Sequence, residues 1–260
     1  MEATTVTATP STELRDGVTM PLVGFGTHPL RGRPATEAVL QALETGYRSV
    51  DTAARYRNED AVGAALRESP VPRSEVFVTT KLPPDSVGIE REMLETSLAA
   101  LGLDQVDLWL LHWPPGGSAG TSAWRRMVAL RDEGLVRAVG VSNFRIAQLD
   151  ELHRATGEYP ALVQRQWSPV HFSPRYLAEC TARGVAVGAH SPLRSARLDD
   201  PSWSGSRTPT ASACRRSSSD GTCSTASPSS RSPRTRSACA PTSTSRASGS
   251  PTTRSPRSTR

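Results

Sequence analysis

Residues 201–260 contain no Leu, Ile, Val, Met, Phe, Tyr, Lys, Glu, Gln, Asn or His, so Trp203 is their one large apolar side chain. What they hold instead is 19 Ser, 10 Arg, 10 Thr and 7 Pro. A segment of that composition cannot bury a core and is expected to be disordered. Cysteine is also scarce. Cys180 stands alone in the first 200 residues, with Cys214, Cys223 and Cys239 beyond them, and no C-x-x-C spacing occurs. That excludes a disulfide framework and offers no metal site. Long apolar runs are missing too: Leu108–Leu111 with its flanks is far too short to span a bilayer. Met1–Thr12 has neither the basic start nor the apolar centre of a signal peptide. These absences point to a reducing cytoplasm and to no membrane partner. The net charge of +6 is confined to the tail, whose ten Arg and one Asp give +9 and leave the first 200 residues slightly acidic.

What is present before residue 200 is a repeating alternation. Asp16-Gly17 between apolar positions is a hairpin signal. Strand patterns then fall at Leu22–Gly26, Arg48–Asp51, Val76–Thr80, Val106–Leu111, Val136–Val141, Leu162–Gln166 and Val185–Ala189. Between them, helical spacing is read at Ala35–Glu44, Asp60–Arg67, Glu90–Leu101, Ala123–Glu133, Ile146–Ala155 and Pro174–Arg183. Strands and helices alternating in this way build right-handed crossovers and a parallel sheet. At 260 residues the fold is a single closed (β/α)8 TIM barrel or an open doubly wound sheet. Gly24-Phe-Gly26-Thr27 lacks the third glycine of a dinucleotide fingerprint, which weighs against the open sheet.

The polar residues decide for the barrel. Successive strands end on Asp51, Lys81, His112, Ser142-Asn143, Gln164 and Ser191, and a barrel brings those ends to one mouth. Solvation of a strand end explains any one of them; six in succession, of such varied chemistry, it explains poorly. Tyr56 follows Asp51 by five residues, on the loop before a helix that begins near Asn58. A phenol ordinarily titrates near 10, and a lysine ammonium beside it is expected to lower that value. Asp51 would hold Lys81 charged, and His112 could donate a hydrogen bond to a carbonyl oxygen. Together they could protonate an alkoxide as it forms, the proton half of carbonyl reduction, with the hydride coming from a cofactor.

The motifs Gly46-Tyr-Arg-Ser-Val-Asp-Thr-Ala with Tyr56-Arg-Asn-Glu59, Thr80-Lys81, Leu110-Leu-His112-Trp-Pro, Gly140-Val-Ser-Asn-Phe144 and Ser191-Pro-Leu193 resemble those of the aldo-keto reductases. They run in that family's order over residues 13–200. The resemblance implies an eightfold barrel, extended NADPH and a small carbonyl substrate. It implies a tetrad of Asp51, Tyr56, Lys81 and His112, with Tyr56 as general acid, Lys81 and Asp51 tuning it, and His112 orienting the carbonyl. Ser142, Asn143 and Gln164 match residues that hold the nicotinamide carboxamide. Gly26, Thr27, Asp51, His190, Ser191 and Leu193 fall at other cofactor positions. Trp113 is a candidate for the substrate pocket, and so is His28, which follows the first strand and reads equally well as a residue without a role. Departures are His190 where the family commonly has tyrosine, Lys81-Leu-Pro-Pro84 in place of Lys-Leu-Trp, and Gln166-Trp167 in place of Glu and an aromatic. They bear on substrate preference and leave the tetrad untouched. His153 and His171 read as surface or helix-flank residues.

The barrel so read (residues 1–200) lacks its eighth strand and closing helices, and the edges of its first and seventh strands are expected to stay unpaired. A shifted reading frame accounts for the loss. If each true codon takes the wobble base of one residue and two bases of the next, Pro201-Ser-Trp-Ser-Gly-Ser206 can read Val-Leu-Val-Gly-Ile. Asp220-Gly221 then leaves only Trp or Arg, and the family has Trp there. On this reading residues 201–260 are a frameshift product and the chain as it stands is inactive. The rivals are nucleic-acid binding through the basic tail and a nicotinamide-binding regulatory subunit. The tail has one aromatic residue and no basic helical period, which disfavours the first. A monomer with no specific nucleic-acid partner is the expectation.

Overall fold

The computed structural model describes residues 10–194 and 222–227. Seven parallel strands form the barrel wall: β3 (Val23–Gly26), β4 (Ser49–Asp51), β5 (Phe77–Leu82), β6 (Val106–Leu111), β7 (Val136–Ser142), β8 (Leu162–Gln166) and β9 (Ala186–His190). Helices α1 (Gly32–Glu44), α2 (Glu59–Glu68), α3 (Glu90–Leu101), α4 (Ala119–Asp132), α5 (Ile146–Thr156) and α6 (Pro174–Ala182) fill the crossovers. Among the described residues no helix is long and apolar enough to cross a membrane. Each element matches a stretch legible in the sequence, with boundaries displaced by a few residues. The largest displacement is at α4, which begins in the small polar run Ala-Gly-Thr-Ser ahead of its first large apolar residue, Trp124.

Period-two alternation sorts the strand residues into two layers. Val50, Val78, Trp109, Leu111, Val139, Val141, Val163 and Val187 face the helices and join Val39, Leu43, Leu94, Leu98, Trp124 and Leu149 in the main core. Leu108, Leu110, Ala138 and Leu162 face inward. The inner layer is tight: a Cβ added at Gly140 would stand 2.5 Å from the Leu162 carbonyl oxygen and 2.7 Å from Leu110 Cδ2. Below it, β1 (Ser11–Glu13) and β2 (Thr19–Pro21) pair antiparallel around the turn Arg15–Gly17, where Gly17 takes φ 73°. This is the hairpin that Asp16-Gly17 announced. Its Leu14, Val18 and Met20 pack with Leu108, Leu110 and Leu162 and plug the amino-terminal end of the barrel.

The expectation of two unpaired edges is overturned. β10 (Thr222–Ser227) lies between β3 and β9 and closes the barrel, antiparallel to both. Thr222–Thr225 pair with Gly26–Val23, and Thr225–Ser227 with Ala189–Val187. The reason is that a ladder is made by backbone N–H and C=O groups, so a polar segment can satisfy two exposed edges without an apolar face. What the sequence excluded was a new core, and a single strand needs none. The same strand overturns the expected disorder at Thr222–Ser227; for the rest of 201–260 that expectation and the shifted frame lie outside the described residues.

Candidate active site

The alternation that turns Leu108 and Leu110 inward also turns Asp51, Lys81, Ser142 and Gln164 inward, nearer the carboxyl ends of their strands. Lys81 lies within β5 rather than after it, and Gln164 in the middle of β8, so both are walled in. His112 and Asn143 each follow their strand by one residue, and Ser191 follows β9. Tyr56 ends a 3-10 turn, Ala54–Tyr56, set between β4 and α2.

Lys81 is only 1% exposed. Its ammonium donates to Asp51 Oδ1, to the Thr52 carbonyl oxygen at 2.8 Å and to the Tyr56 phenol oxygen at 3.2 Å. Those three acceptors use all three of its hydrogens. Burial penalises that charge, but Asp51 and Tyr56 outweigh it, and the amine's pKa stands above its ordinary value. The second Asp51 oxygen, Oδ2, accepts from Gln164 Nε2 at 2.8 Å. Tyr56 corrects the sequence expectation: its pKa is raised rather than lowered. Burial is the largest cause; Lys81 opposes it, while the Asp51 charge adds to the rise. Tyr56 is therefore a neutral phenol at neutral pH. Its oxygen accepts from Lys81, so its own proton is free to be given.

The His112 ring lies 5.7 Å from the Tyr56 ring, edge to face, and His28 approaches Tyr56 from another side at 5.0 Å. Burial, then the Lys81 charge, push the His112 pKa down to about 3, and the same two causes push His190 to about 4. Both imidazoles are neutral near pH 7, and buried His112 Nδ1 has no hydrogen-bond partner among the described residues. Because both folded values lie below the ordinary 6.5, unfolding takes up protons as the solution is acidified. Stability should accordingly be complete above about pH 6.5 and fall as pH drops toward 4. Urea midpoints measured across that window check this, and His112→Gln should flatten the slope.

The remaining candidates form a ring around the tetrad. Asn143 Nδ2 donates to the His112 carbonyl oxygen at 3.2 Å and to Ser142 Oγ at 2.9 Å, and its Oδ1 contacts His190 Nε2 at 3.2 Å. His190 Nδ1 contacts Ser191 Oγ at 3.3 Å. Thr27, fully buried beside Gly26, donates through its backbone N–H and its hydroxyl to the Asp51 carbonyl oxygen, at 3.0 and 3.1 Å. Trp113 is half exposed beside His112. Leu193 sits in the turn closed by the Arg194 N–H on the Ser191 carbonyl oxygen, with no described side-chain contact to the tetrad. A carboxamide needs both donors and acceptors, and this ring has them. Ser142 keeps its hydroxyl hydrogen, Asn143 Oδ1 keeps a lone pair, and among the described residues nothing donates to Gln164 Oε1. The residues fit a nicotinamide. No group of His, Cys, Asp and Glu among the described residues could hold a metal ion.

Two supports carried no role in the sequence reading. Asn58 is buried, accepts from the Thr52 hydroxyl at 2.7 Å and donates to the Thr27 and Leu30 carbonyl oxygens at 3.3 and 2.8 Å. It ties the loop after β3 to the loop carrying Tyr56. Glu59 accepts from Thr80 at 2.5 Å and Ser97 at 3.2 Å, on the outer face of β5 behind Lys81. Both stand in the Tyr56–Glu59 motif, which was the available signal. Backbone geometry marks the same region. Among the described residues, the non-glycines with positive φ are Arg57 (55°), Asn143 (66°) and Ser191 (52°), all at the mouth. Such conformations are costly and cluster at functional sites.

The sequence profile of the Aldo/keto reductase family matches residues 22–225. An aldo-keto reductase of Mycolicibacterium vanbaalenii is 43% identical over 194 residues, 73% of this chain and 69% of that protein. A methylglyoxal reductase of Yersinia pestis is 42% identical over 189 residues, 72% of this chain and 68% of that one. A crystal structure of a Bombyx mori aldo-keto reductase in complex with NADP superposes with a TM-score of 0.68 at 32% identity, covering 80% of this chain and 77% of that chain.

Proposed function

The chain belongs to the aldo/keto reductase family, and on that premise we propose that its barrel mouth reduces small aldehydes and ketones with NADPH, Tyr56 acting as general acid. The observation that carries the reading is the allocation of hydrogens around Lys81. With all three ammonium hydrogens spent on Asp51, Thr52 and Tyr56, the phenol proton is the one left to move. Bound at Ser142, Asn143, Gln164 and His190, the nicotinamide would supply the hydride. The protein's part is the proton. Neutral His112 gives an N–H to the carbonyl oxygen and orients it. Tyr56 protonates that oxygen as negative charge grows on it, and the Lys81 ammonium stabilises the phenolate left behind. A charged His112 would compete with Tyr56 as donor, and its depressed pKa prevents that. The reading takes the protein as a cytoplasmic monomer whose partner is a small carbonyl compound, with no nucleic acid involved.

Methylglyoxal is the first substrate to try, since that is what the Yersinia pestis relative is named for. The chain, and a version with residues 201–260 in the shifted frame, would be incubated with NADPH and methylglyoxal. The alcohol formed would be counted against NADPH consumed. A one-to-one ratio in at least the frame-restored version is expected. Cofactor binding with no turnover in both versions, across a panel of aldehydes and ketones, would sink the reading.

A further inference from the structure

We propose that the cleft between α5 and α6, outside the barrel wall, binds the phosphate monoester of a small metabolite. β8 serves two faces. Gln164 points inward to Asp51, and the next residue, Arg165, points outward, its guanidinium lying 4.0 Å from the centre of the Tyr176 ring on α6. Arg145, just before α5, and Arg175, in the first turn of α6, line the same cleft of about 360 Å³.

What sets these three apart from other described arginines without a carboxylate partner, Arg125 and Arg154 among them, is that they share one cleft. Arg33, Arg48, Arg55, Arg73, Arg91, Arg126, Arg131, Arg137 and Arg183 each engage a carboxylate. Among the described residues no carboxylate pairs with Arg145, Arg165 or Arg175. The one carboxylate lining the cleft, Glu179, is held at 2.7 Å by Arg183, which also binds Asp150 at 2.7 Å. Three arginines therefore face a cavity that carries a single carboxylate on its wall, and the lining is net positive.

The chemistry selects the ligand. A guanidinium has five N–H donors, more than one aromatic neighbour can occupy, and planar forks match phosphate oxygens in pairs. Ser173 Oγ accepts from the Tyr176 N–H at 3.3 Å and retains its hydrogen to donate. Ile146 adds an apolar wall. The volume exceeds the need of a bare ion and falls in the range of about 300–1,000 Å³ typical of organic ligands.

Calorimetric titration of the full chain with glucose 6-phosphate, at constant ionic strength set with chloride, tests this directly and independently of reductase activity. One saturable site is expected, unchanged by excess NADP+ and tighter for glucose 6-phosphate than for inorganic phosphate. Arg165→Ala should weaken it about tenfold or more, as loss of a charge-assisted hydrogen bond would. That variant also uncovers the Tyr176 ring, so the exposed changes Arg145→Gln and Arg175→Gln carry the test if it misfolds. Each should weaken binding severalfold, and together more than either alone. Unsaturable binding, indifference to these variants, displacement by NADP+, or equal affinity for inorganic phosphate would each overturn the proposal.

Discussion

Tyr56→Phe should slow carbonyl reduction by about 10²-fold or more, the scale of a lost general acid, and leave nicotinamide affinity nearly unchanged. The two effects separate because of where the phenol oxygen sits. It accepts from Lys81, on a ring that lies edge to face with His112, while the groups that fit a carboxamide belong to Ser142, Asn143 and Gln164. Phenylalanine keeps the ring, and so its packing with His28 and His112, but removes the proton to be transferred. It also leaves one Lys81 hydrogen without an acceptor, which lowers stability modestly. Single-turnover kinetics and cofactor titration on the same preparation check both halves in whichever version of the chain turns over. Retention of about half the parent rate would place the proton donor elsewhere.

Asp51→Ala should be costly in a different way. It removes the counter-charge of an ammonium that is 1% exposed and takes the acceptor from Gln164 Nε2. Breaking a buried pair by deleting one partner costs about 3–5 kcal/mol, much of a domain's net stability. In the parent, the raised Lys81 value means a contribution present below its ordinary pKa of 10.5 and lost only at more alkaline pH. In the variant only Tyr56 is left to oppose burial, the largest of the causes, and the folded pKa drops below that value, so the sign reverses. The unfolded chain then binds more protons, and the variant's deficit should shrink as pH rises toward 10.5. Urea unfolding of both proteins between neutral and alkaline pH measures this. A difference under about 1 kcal/mol with no trend in pH would mean that the pair is not coupled to folding.

Much of this was legible from residues alone, because barrel strands announce themselves by short β-branched runs and their ends by polar residues. Asp51, Tyr56, Lys81 and His112 were found that way, and the structure brings them together. The Tyr56 shift was misjudged because sequence reveals a charged neighbour but not the depth of burial, and burial was the larger cause. Asn58 went without a role since two of its three partners are backbone carbonyls more than twenty-five residues away in the chain, invisible to any local pattern. β10 was missed for a related reason. Composition reports whether a segment can bury side chains, and it is silent on whether two open edges will accept a backbone.

The tight inner layer at Gly140, Leu110 and Leu162, stoppered from below by Leu14, Val18 and Met20, makes the barrel a blind well. Nothing passes through it. Traffic to Lys81 and from it must use a single rim, so two molecules that share the well cannot exchange places inside it. Whichever lies deeper has to arrive first and depart last, and an order of events follows from the floor of the barrel rather than from any residue that touches the reaction.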